Sequence, residues 1–223
     1  MINTEEQDKL LVSIGEALEK PIITYAIGGT ALMLRGLKEE TLDIDLVFIN
    51  EADRKTFIEA AEGIGFKRSD ARLVYGSEKS VPMMIQFEEI RFDLFLGKVI
   101  NAIFSDSIKE RAKQTHEFRK NLIIKAADMH DILLMKSATS RIKDVDNIIT
   151  ILKTQTINWD IIVREAENQI ESGNDIAILT LGTLLEKLRN KYKMDIPLKV
   201  LDKLWALLNK QVRKTREETN RKR

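Results

Sequence analysis

The sequence predicts an α/β (α+β) chain, with a mixed, mostly antiparallel sheet and flanking helices over residues 1–125 and an α-helical bundle over residues 126–223. Three observations carry this expectation. Residues 22–27, 43–48 and 91–96 are short apolar or alternating runs, the pattern of buried and half-buried strands. Gly28-Gly29 interrupts the first of these runs and turns the chain sharply into a helix. From Asp128 onward the apolar period becomes 3.6 and stays there.

Taken in order, Leu10, Leu11, Ile14 and Leu18 have helical spacing over residues 4–19, with Thr4 as the expected N-cap and Pro21 as the stop. Residues 22–27 follow as a buried strand, then the Gly28-Gly29 corner, where missing side chains let the backbone approach a ligand closely. A helix is expected over residues 30–37, and backbone amides at its start, with the Thr30 hydroxyl, form a candidate phosphate grip. In the strand at 43–48, Asp43, Asp45 and Val47 share one face while Ile44, Leu46 and Phe48 point into the core. Two carboxylates are therefore expected on one exposed edge, about 6.5 Å apart along the strand.

A helix over 51–64 leads to expected strands at 66–68, 72–75 and 83–87, the last turning through Glu88-Glu89 into 91–96. Alternation there sets Asp93 on the face opposite Phe92, Leu94 and Leu96. Asp106 and Ser107 start a helical turn, and residues 115–125 read as extended. Asp128 and Asp131 make a variant of the capping box for one helix with Leu134, Ala138, Ile142, Val145, Ile149 and Leu152 as its apolar stripe. Lys136, Ser140, Lys143 and Asn147 line the other face. Helices at 159–171, 175–191 and 197–213 present leucine-rich faces that should pack as a small bundle. The tail from Lys210 has seven Lys/Arg against Glu217 and Glu218, either a solvated end or a surface for RNA phosphates.

If the strands at 43–48 and 91–96 are neighbours, Asp43, Asp45 and Asp93 converge. Carboxylates this close do not ionise comfortably without a cation. Hard oxygen donors, no cysteine and two histidines favour magnesium or manganese over zinc. The absence of cysteine also excludes disulfides and thiolate catalysis. A net charge of +1 excludes a bulk field that would drive the chain onto nucleic acid, so any basic surface must be local. The start lacks a signal pattern and no apolar run approaches a membrane span. A cytoplasmic protein with no membrane partner is expected.

Gly28-Gly29-Thr30, Asp43-Ile44-Asp45 and Asp93 together resemble the signature of the polymerase-beta-type nucleotidyltransferase superfamily. Lys136-Ser-Ala-Thr-Ser-Arg141-Ile-Lys143-Asp144 looks like the basic helix of the AbiEii/MenT-like nucleotidyltransferase toxins and their prokaryotic relatives. The resemblance implies a nucleotidyltransferase fold and an enzyme of phosphoryl-group transfer, moving a nucleoside monophosphate from a nucleoside triphosphate to a hydroxyl. The acceptor would be an RNA 3′ end such as that of tRNA, a protein side chain or a small molecule. Asp43, Asp45 and Asp93 would be catalytic and hold Mg2+ or Mn2+. Gly28, Gly29, Thr30, Lys136, Ser140, Arg141 and Lys143 would bind the nucleotide. A toxin–antitoxin role, with an antitoxin or a second copy as partner, follows from the same resemblance. The alternative is a non-catalytic module on the same fold that binds nucleotide, RNA or protein.

Overall fold

The computed structural model describes residues 1–76, 80–137 and 142–221, with side chains for all of these except 142–143 and 218–221. The elements run β1 (Ile2–Asn3), α1 (Thr4–Ala17), β2 (Ile22–Ala26), α2 (Gly28–Leu34), β3 (Glu40–Thr41), β4 (Ile44–Phe48), α3 (Glu51–Gly63), β5 (Lys67–Ser69) and α4 (Arg72–Tyr75). They continue as β6 (Met83–Phe87), β7 (Ile90–Leu96), β8 (Lys98–Val99), β9 (Ala102–Ile103), α5 (Asp106–Arg111), β10 (Gln114–Phe118) and β11 (Leu122–Ala126). Among the described residues the elements end with α6 (Met129–Ser137), α7 (Ile142–Thr154), α8 (Trp159–Glu171), α9 (Asp175–Tyr192) and α10 (Leu198–Arg221). Two compact units result, residues 1–100 with 104–132, and residues 101–103 with 133–223.

The first unit is built on a seven-stranded mixed sheet in the order β10-β11-β2-β4-β7-β6-β5. Only the β11/β2 and β4/β7 neighbours are parallel, so the sheet is mostly antiparallel as the sequence predicts. One face is sealed by α3, which packs on β2, β4 and β7 and against α1. Beneath it Phe57 stacks on Phe48 and Phe92 at ring-centroid distances of 5.4 and 5.6 Å, and Phe66 meets Phe92 at 5.3 Å. Such tilted aromatic pairs add to the stabilisation from burial alone.

Several local expectations change for identifiable reasons. Asn3, not Thr4, caps α1: its side-chain oxygen accepts from the Glu6 amide at 2.9 Å, and Glu6 accepts from the Asn3 amide at 3.0 Å. This reciprocal capping box satisfies two otherwise orphaned donors. Residues 72–75 form a short helix rather than a strand. The Asp70 carboxylate accepts from the Arg72 amide at 2.9 Å, and that local bond overrides the strand preference of Val74 and Tyr75. The helix expected from 128 to 152 is described as α6 up to Ser137 and as α7 from Ile142, and residues 138–141 between them lie outside the described residues. At the start of α6 the Asp128 carboxylate accepts from the His130 amide at 3.0 Å, and the Arg111 guanidinium takes the Asp131 carboxylate in a fork of 2.7 and 3.0 Å.

In the second unit α8, α9 and α10 pack on one another. Ile162, Ala166, Ile178, Leu181, Leu185, Leu188, Val200, Leu201 and Leu204 are buried between them. Gly182 lets the Trp205 ring close onto α9, since a Cβ there would stand 3.1 Å from the ring. Residues 101–103 join this unit because the Gln169 amide bonds both the N–H and the C=O of Ile103, each at 2.8 Å. Among the described residues no helix is long and apolar enough to cross a membrane.

Candidate active site

Strands β4 and β7 run parallel with Asp45 in register opposite Asp93. Directly paired residues on neighbouring strands are about 4.8 Å apart at the backbone, and both side chains leave the sheet on the face away from α3. The exposed edge expected for Asp43 and Asp45 is not there, because β4 is a central strand covered on both faces. Val47, on the Asp45 face, is wholly buried between its register partners Tyr25 and Phe95. Asp43 stands just before β4 and is 7% exposed, Asp45 is half-buried, and Asp93 is completely buried.

Completely burying a carboxylate is costly unless donors satisfy it, and two side chains do so. Arg91 lies two residues before Asp93 and therefore on the same face of β7. Its Nε donates to Asp93 Oδ1 at 2.8 Å and its Nη2 to Asp93 Oδ2 at 3.0 Å. The same Nη2 donates to Asp43 Oδ2, so one guanidinium bridges two of the three aspartates. The Tyr75 hydroxyl donates to Asp93 Oδ2 at 2.6 Å from α4. Burial pushes the Asp93 carboxyl above its ordinary value and the neighbouring Asp43 adds to the rise, against the lowering pull of Tyr75 and Arg91. Burial alone would lower the Arg91 value, but Asp93 and Asp43 outweigh it and hold the guanidinium above its ordinary value.

The glycine corner closes on Asp45. Gly28 has φ +57°, and a Cβ there would sit 2.4 Å from Asp45 Oδ2. A Cβ at Gly29 would sit 2.3 Å from Thr41 Oγ1. Gly28 is favoured by its left-handed φ, and a side chain at Gly29 would crowd Thr41. Thr30 is fully buried and its Oγ1 accepts from the Asp45 amide at 2.8 Å, while the Ile27 amide donates to the Asp45 carbonyl at 3.2 Å. The Thr30 hydroxyl expected to grip phosphate instead anchors the backbone of the aspartate strand. Thr30→Val strands the Asp45 amide and is expected to lower unfolding free energy by about 1–3 kcal/mol, whereas Thr30→Ser keeps most of it; urea denaturation reads the difference.

Lys136 belongs to the helical unit. It is 8% exposed and its Nζ donates to Asp144 Oδ1 at 2.8 Å, so it pairs within that unit instead of lining an exposed helix face. Ser140 and Arg141 lie outside the described residues, as does the side chain of Lys143. Among the described residues no three His, Cys, Asp or Glu side chains are gathered closely enough to hold a metal ion. The cation joining Asp43 to Asp93 is the Arg91 guanidinium. In donor type and charge the cluster still suits a hard divalent ion, with three carboxylates against one guanidinium and neither histidine nor cysteine among them. Arg91 and Tyr75 were not anticipated from sequence. For Arg91 the signal was present in its i, i+2 relation to Asp93; for Tyr75 there was none.

No family model and no curated protein matches the chain. Among solved structures it is similar to ANT(2″)-Ia in complex with adenylyl-2″-tobramycin, at 15% identity and TM-score 0.48 over 74% of this chain and 98% of that one. It is also similar to a solution structure of the antibiotic-resistance factor ANT(2″)-Ia, at 17% identity and TM-score 0.42 over 99% and 100%. JHP933 from Helicobacter pylori matches at 15% identity and TM-score 0.40 over 96% of each chain.

Proposed function

We propose that the protein is a nucleotidyltransferase that moves a nucleoside monophosphate from a nucleoside triphosphate to a hydroxyl acceptor. One observation carries the reading: Asp45 and Asp93 stand side by side on parallel strands, with Asp43 tied to Asp93 and the glycine corner closed over Asp45. Acidic groups side by side on central strands, one of them wholly buried, are not serving as surface charge.

Transfer requires the acceptor oxygen to attack the α-phosphorus, the bond to pyrophosphate to break, and the hydroxyl proton to leave. Asp93 is assigned as the proton acceptor for its place directly opposite Asp45 on the neighbouring strand. Asp43, Asp45 and Asp93 are the residues that would hold Mg2+ or Mn2+, which when bound supplies charge neutralisation at the triphosphate. Arg91 and Tyr75 keep Asp93 oriented, and Thr30 fixes Asp45 through its backbone. The resemblance assigns Lys136, with Ser140, Arg141 and Lys143, to nucleotide binding. The resemblance of this segment to AbiEii/MenT-like toxins supports an RNA 3′ end as acceptor and a toxin–antitoxin setting.

A second reading has its own observation. Asp93 already accepts three hydrogen bonds from Arg91 and Tyr75, which suits a module that holds its carboxylates neutralised and binds nucleotide, RNA or protein without turnover. Incubation with each α-labelled nucleoside triphosphate, magnesium and total RNA or lysate separates the two. Label in a sized RNA, protein or small-molecule product supports transfer; bound but unconverted triphosphate supports the module.

A further inference from the structure

Charge is divided between the two halves of the chain. Residues 133–223 have 18 Lys/Arg against 12 Asp/Glu, a net +6, whereas residues 1–132 have 18 against 23, a net −5. An overall charge of +1 conceals this asymmetry, which is the pattern of a chain with one local polyanion surface. Much of the positive surplus lies on α10, 24 residues and about 36 Å long. At 3.6 residues per turn Lys199, Lys203, Lys210, Arg213 and Lys214 fall within a sector of about 100°. All five are exposed. The opposite side of the helix is the packed one, with Val200, Leu201 and Leu204 exposed by 2, 4 and 0%.

The acidic groups on this side are few. Glu217 lies in the same sector and Asp202 at its edge, while Lys203 reaches Asp160 at 3.3 Å. That pair is solvent-exposed on both sides, and such pairs contribute little and are readily exchanged for another anion. From Asn209 to Glu217 every side chain except Gln211 is exposed, so the distal turns carry their charge without cover from the bundle.

We propose that this basic face of α10 docks the phosphate backbone of single-stranded RNA. A bilayer fits less well, because an interfacial helix needs a free apolar face opposite its basic one, and here that face is spent on the bundle. The choice of RNA among phosphate polymers rests on the nucleotidyl-transfer reading, in which an RNA 3′ end supplies the acceptor hydroxyl. Contacts to phosphate from five side chains spread over 16 residues give affinity without base preference.

Fluorescence anisotropy of a labelled 20-nucleotide oligouridine with the full chain, without nucleotide, tests this directly. Binding is expected with a slope of log K against log salt of about −3, as for four or five neutralised phosphates. Replacing Lys199, Lys203, Lys210, Arg213 and Lys214 together by Gln should weaken binding at least about tenfold and flatten the slope, with helix content unchanged by circular dichroism. Gln at Lys55, Lys67 and Lys120, exposed lysines of the sheet unit, should change affinity less than about twofold. Equal binding by the five-Gln variant, no RNA binding at low salt, or retention on phosphatidylserine vesicles in place of RNA would overturn the assignment. Intact RNA binding without nucleotide transfer would sink only the enzymatic reading; transfer to a small acceptor without RNA binding would sink only this one.

Discussion

Asp45→Asn is expected to reduce magnesium-dependent incorporation of nucleotide at least about a hundredfold, the scale of losing one electrostatic group at a reaction centre, while leaving thermal stability close to the parent. Asp45 is half-buried, and its N–H bond to Thr30 and its carbonyl bond to Ile27 are backbone interactions that Asn retains. The substitution therefore removes the charge and keeps these backbone bonds. The carboxylate lies against the Gly28 corner and beside Asp93, where the loss of one negative group alters what the cluster can hold. Labelled-nucleotide incorporation measured beside a melting curve separates a chemical defect from unfolding. Full activity in the variant would dismiss the site.

Arg91→Ala should have the largest effect on stability, about 3–5 kcal/mol at neutral pH, because it leaves Asp93 charged, wholly buried and short of two donors. For a chain of this length that is a fall of roughly 10 °C in Tm. The size of the loss should depend on pH, with a definite sign. Asp93 has a native value raised above the ordinary 3.8, so its contribution is most favourable below 3.8 and is lost as pH rises through the raised native value. Removing Arg91 takes away a lowering influence and raises the native value further. The gap between variant and parent should thus shrink as pH falls toward 4 and widen toward 8. Thermal unfolding across that range reads it. A small, pH-independent difference would mean that Arg91 is not the counterion of Asp93.

Alternation in the sequence was enough to locate β4 and β7 and to predict which face of each carries its aspartate, because a period of 2 is a property of the strand itself. What covers that face is not a local property. Asp43 reads as an edge residue and is buried, as is Val47 on the same face, since β4 lies between β2 and β7 in the middle of the sheet. Arg72-Leu73-Val74-Tyr75 reads as a strand by residue type, and one carboxylate bond from Asp70 made it a helical turn that carries Tyr75 to Asp93. The glycine pair was legible as a sharp corner, but its crowding partners, Asp45 and Thr41, are distant in sequence and visible only after folding. Lys136 was legible as a singled-out cation; its burial and its Asp144 partner were not.

The most direct test of the aspartate cluster as a nucleotidyl-transfer site is the stoichiometry of phosphate species released from a nucleoside triphosphate in the presence of magnesium and acceptor RNA. One pyrophosphate released for each nucleoside monophosphate joined to product, and none with Asp45→Asn, is the expected result. Release of orthophosphate, or triphosphate bound and recovered intact, would contradict it.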